Sequence, residues 1–148
     1  MPRRTIGAFV AVASLAVPAI AGASPSATAK TTHFRSTLIG AQVSSTENVY
    51  DVRGPVRGAS SQLVKDNSAG TGGTDTATIY YGTGTVVTAD KFSNSTPDAS
   101  GIATISGSGR FVRGTGLYKH VSGKYTFSGT LNTKNGRLKV LVVGTQSL

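Results

Sequence analysis

The sequence predicts an all-β domain, a barrel or a sandwich of seven or eight short strands. Three observations predict it. Gly, Ser, Thr, Val and Tyr dominate, with 19 glycines in 148 residues. No window of eleven or more residues repeats apolar positions at i, i+3, i+4 and i+7, the spacing a helix face needs. Several stretches instead alternate apolar and polar residues with a period of two, as a strand with one buried face does. The lack of cysteine and tryptophan argues against an immunoglobulin-type sandwich, which pins its sheets with both.

The chain opens MPRRTIGAFVAVASLAVPAIAGAS: Arg3 and Arg4, an apolar run from Ile6 to Ile20, then Ala21-Gly22-Ala23. A basic start, a short apolar run and a small-x-small end predict a secretory signal peptide over 1–23 and an extracellular destination. Thr5-Ile6-Gly7 fits a twin-arginine signal poorly, so Sec-type export is expected. The run is shorter than the ~20 residues that cross a bilayer, so no membrane attachment is expected after cleavage. Residues 24–45 are a flexible leader or, from Phe34 to Val43, a first strand; 46–148 form the β domain.

Within that domain ENVYDVRG and SQLVKD (Ser61 to Asp66) are strands, the second running into the turn-rich NSAGTGG. In TATIYY, Ala77, Ile79 and Tyr81 share one face. GTVVTADKF puts Val86, Thr88 and Asp90 on one face and is followed by SNSTPD; GIATISGSG comes next. In KYTFSGTL, Tyr125, Phe127, Gly129 and Leu131 face together, as do Leu138, Val140 and Val142 in RLKVLVV. Between these last two, NTKNG predicts a hairpin in which Asn135-Gly136 supplies positive φ angles.

The stretch GSGRFVRGTGLYKHVSG (107 to 123) concentrates glycines and bases and invites a test as a phosphate loop. A dinucleotide fingerprint puts its third glycine where Val112 stands. A P-loop puts its lysine where Thr115 stands, and both motifs demand a following helix that cannot be read here. The stretch is better read as a glycine bend at a barrel corner, with Phe111 and Leu117 plugging the barrel end and Arg110, Arg113 and Lys119 in water.

From Ile105 to Leu131, ISGSGRFVRGTGLYKHVSGKYTFSGTL resembles the allene oxide cyclase/dirigent barrel superfamily, which carries a similar glycine-and-phenylalanine segment between two long late strands. The resemblance extends over roughly Tyr50 to the C-terminus. It implies an eight-stranded antiparallel β-barrel with a hydrophobic cavity, assembled as a homodimer or homotrimer. It also implies a small hydrophobic ligand whose cyclisation, isomerisation or coupling the cavity guides. The dirigent branch is associated with acidic residues, especially a close Asp pair early in the barrel, together with a cavity Arg and Tyr. Here Glu47 and Asp51 are separated by three residues, Asp66 stands alone, and no two aspartates adjoin. The cyclase branch is associated with a cavity cysteine, which this chain lacks.

By alternation Asp90 is an interior acid, and a buried carboxylate needs a partner; an opposing Arg110 would supply one. Asp90 and Arg110 are thus the candidate catalytic pair. Tyr81 and Tyr125, facing with Ile79 and Phe127, are the candidate ligand-binding phenols. Two histidines, His33 and His120, and no cysteine exclude a multi-histidine or thiolate metal site, and no cofactor is expected. No G-x-S-x-G elbow supports a serine triad. A streptavidin-type biotin site would need tryptophans. The formal charge is +9, yet lysines and arginines never cluster, so nucleic acid is not an expected partner. A basic exterior that binds polyanionic wall polymer at the cell surface is the alternative function, without enzyme activity.

Overall fold

The computed structural model describes residues 30–67 and 69–148. Eight strands follow one another: β1 (Thr31–Ser44), β2 (Glu47–Arg53), β3 (Gly58–Asp66), β4 (Gly72–Tyr81), β5 (Gly84–Asn94), β6 (Ile102–Gly114), β7 (Ser122–Asn132) and β8 (Arg137–Ser147). A 3-10 turn, Gly116–Tyr118, lies between β6 and β7. Each strand is antiparallel to the one before it, and β1 pairs with β8 to close an eight-stranded barrel. The sandwich alternative is therefore set aside. Closure leaves no strand edge unpaired, so the backbone ladder stabilises the sheet without any disulfide.

The predicted signal peptide lies outside the described residues. The leader-or-strand alternative resolves as strand: β1 begins at Thr31, so the barrel starts before residue 46. Its faces are hard to read in sequence because polar residues, Ser36 and Gln42, line the interior beside Phe34 and Leu38.

Alternation sorts the remaining strands as the sequence predicts. Leu138, Val140 and Val142 of β8 are buried, as are Val86, Thr88 and Asp90 of β5 and Ala77 of β4. With Tyr50 and Tyr125 the three β8 residues form the main core cluster, against which Phe34, Leu38, Phe111 and Phe127 pack. A β-bulge interrupts β6, where Val87 pairs with Arg113 but Thr88 pairs with Phe111. Val112 is the extra residue, and the bulge turns Val112 and Arg113 outward together.

Two turns differ from their sequence reading. In the β7–β8 hairpin only Gly136 takes positive φ (+68°); Asn135 does not. The N–H groups of Asn135 and Gly136 both donate to the Asn132 carbonyl, at 3.3 and 2.8 Å. The result is a wider turn with one left-handed glycine at its close rather than a tight two-residue one. The second difference concerns GSGRFVRG, which is strand and not bend. Gly107 and Gly109 sit within β6, and their role is close approach. A Cβ on Gly107 would overlap the Phe127 ring, and one on Gly109 would overlap both the Asp90 carboxylate and the Tyr125 ring. The turn follows at Thr115, with Gly116 at φ +59°.

That turn caps one end of the core. Tyr118 is buried with Val121 and Val86, its ring 4.9 Å from the ring of Tyr81, whereas Leu117 is 71 % exposed. The inserted side chain is thus Tyr118, not Leu117, and Phe111 lines the interior instead of plugging its end. We expect Tyr118→Ala to destabilise the protein by about 3 kcal/mol, the cost of emptying a buried aromatic site. Leu117→Ala should stay within about 0.5 kcal/mol of wild type, since its side chain is already in water. Equilibrium urea unfolding of the two variants checks both values.

Candidate functional site

The inward side chains do not fill the barrel. They leave a cavity of about 260 Å³ that every strand helps to line. Its wall is mostly apolar and aromatic, with Phe34, Phe111, Tyr125 and Phe127 grouped on one side. Ring centroids there lie 5.4 Å apart for Phe111–Tyr125 and 5.8 Å for Phe34–Phe111. Such a wall with a few polar groups is the usual make-up of a small-molecule site.

The polar groups converge on Asp90. The Tyr125 hydroxyl donates to Asp90 Oδ1 at 2.5 Å, and the Thr88 hydroxyl donates to Oδ2 at 3.3 Å. The first bond is short, as phenol-to-carboxylate bonds are. Gly109 makes it possible: it pairs with Asp90 on one side and with Tyr125 on the other. With no side chain there, the Tyr125 ring can reach across β6 to the acid.

The partner of Asp90 is a second acid. Asp75 of β4 pairs directly with Asp90 of β5 and faces the same cavity. Both are buried, at 6 % and 8 % exposure. Burial, then repulsion from Asp75, push the Asp90 carboxyl up to about 8, and burial likewise raises Asp75. Two carboxylates cannot both ionise cheaply in so dry a place, so the pair holds one proton between them near neutral pH. Asp75 Oδ1 has no hydrogen-bond partner among the described residues. A proton on the pair brings Asp75 within reach of a donor from Asp90. The phenols respond in turn: burial and the Asp90 charge raise Tyr125, and burial with the nearby Asp75 raises Tyr50, so both stay neutral donors.

Beside the acids Gln62 gathers two more donors on its Oε1, from the Tyr50 hydroxyl at 2.8 Å and the Asn48 amide at 3.0 Å. Sequence reading missed Asp75, Tyr50 and Gln62. The signal for Asp75 was there: alternation in GTDTATIYY carries back from Ile79 and Ala77 to Asp75.

Of the four candidate residues, the barrel brings Asp90, Tyr81 and Tyr125 to the cavity. It does not bring Arg110 there. Arg110 pairs with Ala89 and is exposed, because the residue opposite Asp90 is Gly109 and neighbours along a strand face opposite ways. The Asp90–Arg110 pair is therefore not formed. Tyr81 lies at the capped end against Tyr118, and burial lifts its hydroxyl to about 12. The one ion pair among the described residues, Arg53–Asp51 at 2.7 Å, is on the exterior. The outer bases are dispersed, with Arg110 opposite Lys124 as their one direct cross-strand pairing in the β6–β7 ladder.

Fold and site together define a closed β-barrel with an aromatic-lined cavity and a buried acid pair. Comparison with known protein families, with curated proteins and with solved structures finds no match to the chain.

Proposed function

We propose that the protein is a cavity-binding barrel that holds a small hydrophobic molecule and guides its cyclisation, isomerisation or coupling. The observation that carries this reading is the cavity itself: interior space walled by rings, with the Asp75–Asp90 pair as its polar handle. Apolar burial supplies affinity, and the rings restrict the bound molecule to few conformers, which lowers the entropic part of a ring-closing barrier. The acid pair orients the molecule. It also stabilises positive charge that develops on it during reaction, since fixed charges act strongly where water is excluded.

The resemblance to allene oxide cyclase and dirigent barrels supports the same reading. Asp75 on β4 and Asp90 on β5 form a close acid pair, which accords with the acidic residues associated with the dirigent branch. Export to the cell exterior accords with the N-terminal segment.

The test is a fluorescence titration with 1-naphthol, a neutral two-ring probe, at pH 6. Saturable one-to-one binding is expected, and Ala77→Trp, which places a large ring in the cavity wall, should abolish it while the barrel stays folded. Absence of saturable binding by the wild type would overturn the reading, as would undiminished binding by the Trp variant.

A further inference from the structure

We propose that the cavity takes a small hydrophobic amine in its ammonium form, with the charge on Asp75 and Asp90 and the apolar body among Phe34, Phe111 and Phe127. This inference rests on the cavity being a binding site and names the chemistry of what it binds.

The charge in the cavity is one-sided. Asp66, Asp75 and Asp90 line it, while among the described residues no lysine, arginine or histidine does. The chain as a whole is strongly basic, so its interior and exterior carry opposite signs. A buried carboxylate without a countercharge is costly, and none of the described residues that line the cavity provides one.

Hydrogen bonding is one-sided as well. Among the described residues, three buried side-chain atoms lack a partner: Asp75 Oδ1, Asn94 Oδ1 and Ser60 Oγ. All three residues line this cavity. Asp75 and Ser60 are 6 % and 4 % exposed, so neither reaches bulk solvent. Two of the three atoms only accept, and the hydroxyl can accept too. These three atoms therefore call for donors, and the one proton shared by the acids can serve only Asp75. An ammonium group carries three donors, no acceptor and the missing charge. An alcohol brings one donor and no charge; a carboxylate brings repulsion.

The rings complete the match. Aromatic faces attract cations, most strongly where water is excluded, and the Tyr125 ring stands beside both Asp90 and Phe111. A divalent metal ion fits less well, because no group of three or more His, Asp or Glu converges among the described residues.

Binding is linked to pH through the acid pair. The titratable groups facing it are Tyr50 on β2, Asp66 on β3, Tyr81 on β4, Tyr125 on β7 and Tyr118 of the 3-10 turn. None from β1, β6 or β8 lines the cavity. An arriving ammonium displaces the proton held by the pair, which passes to the buffer.

Isothermal titration calorimetry at pH 7.5 with 2-phenylethylamine, 2-phenylethanol and 3-phenylpropanoate tests the inference. The amine should bind at least about tenfold more tightly than the alcohol, the scale of a desolvated ion pair with cation–π support. The carboxylate should give no binding heat. Asp75→Asn with Asp90→Asn should remove the amine's advantage over the alcohol. The wild type gives a second readout that no folding defect can confuse. Amine binding should release a proton, seen as different heats in phosphate and Tris buffers, and should tighten from pH 6 to pH 8. Equal affinity for amine and alcohol, or no proton release, overturns the amine assignment and leaves the cavity reading standing. Failure of all three probes together with failure of 1-naphthol overturns both.

Discussion

At pH 8 Asp90→Asn should melt about 5 °C or more above the wild type, and the gap should narrow steadily as the pH falls toward 5. The sign follows from the proton inventory. Below about pH 4 the acid is protonated in both the folded and the unfolded chain. As pH rises from there toward 8, the unfolded chain releases the proton while the folded chain keeps it on the buried pair. The folded state then binds more protons, so stability falls with rising pH, at about 1.4 kcal/mol per unit for one proton. Above about 8 the loss is complete. An amide at this position has no proton to lose, still accepts from Tyr125, and offers Asp75 a donor. Thermal melts at pH 5, 6.5 and 8 decide it. A wild-type melting temperature that rises from pH 5 to pH 8 would contradict a buried acid pair.

Gly109→Ala should cost about 3 kcal/mol, the upper range for forcing an extra methyl into a packed interior. The added Cβ would overlap two groups at once, the Asp90 carboxylate and the Tyr125 ring. Relief requires one of them to withdraw, which breaks the 2.5 Å bond between them. The variant should therefore also lose 1-naphthol binding. Gly82→Ala is the matched control: no atom lies within 4 Å of its Cβ position, and its φ is not positive. A stability change within about 0.5 kcal/mol is expected there. Equal losses from the two substitutions in urea unfolding would refute the close-approach role of Gly109.

Much of this barrel was legible in the sequence, and the residues show why. β4, β5, β7 and β8 alternate cleanly, so Ala77, Asp90, Tyr125 and Val140 could be placed on inner faces from period alone. β1 could not, because its inner face is partly polar. The Asp75–Asp90 pairing was readable with one further step. β4 ends at Tyr81, which pairs with Gly84, so Gly82-Thr83 is a two-residue turn. Counting back from such a turn sets the register and puts Asp75 opposite Asp90. Arg110 went astray for the opposite reason. The glycines around it have no side chains to mark a face, and Phe111 alone indicates that Arg110 points outward. The cavity was not legible, since its volume depends on how rings from eight strands meet across the axis.

The joining of β1 to β8 has a bearing on how the molecule comes into being. Thr31 is paired with Ser147, and the ladder continues to Ala41 opposite Arg137, so the first strand completes its bonding only against the last. Hairpins β2–β3 through β7–β8 can form from local segments as the chain emerges, but the ring they build stays open until the C-terminal strand arrives. Contacts so distant in sequence are slow to form. The barrel thus rounds up only once residues 137–147 are free to pair with the first strand.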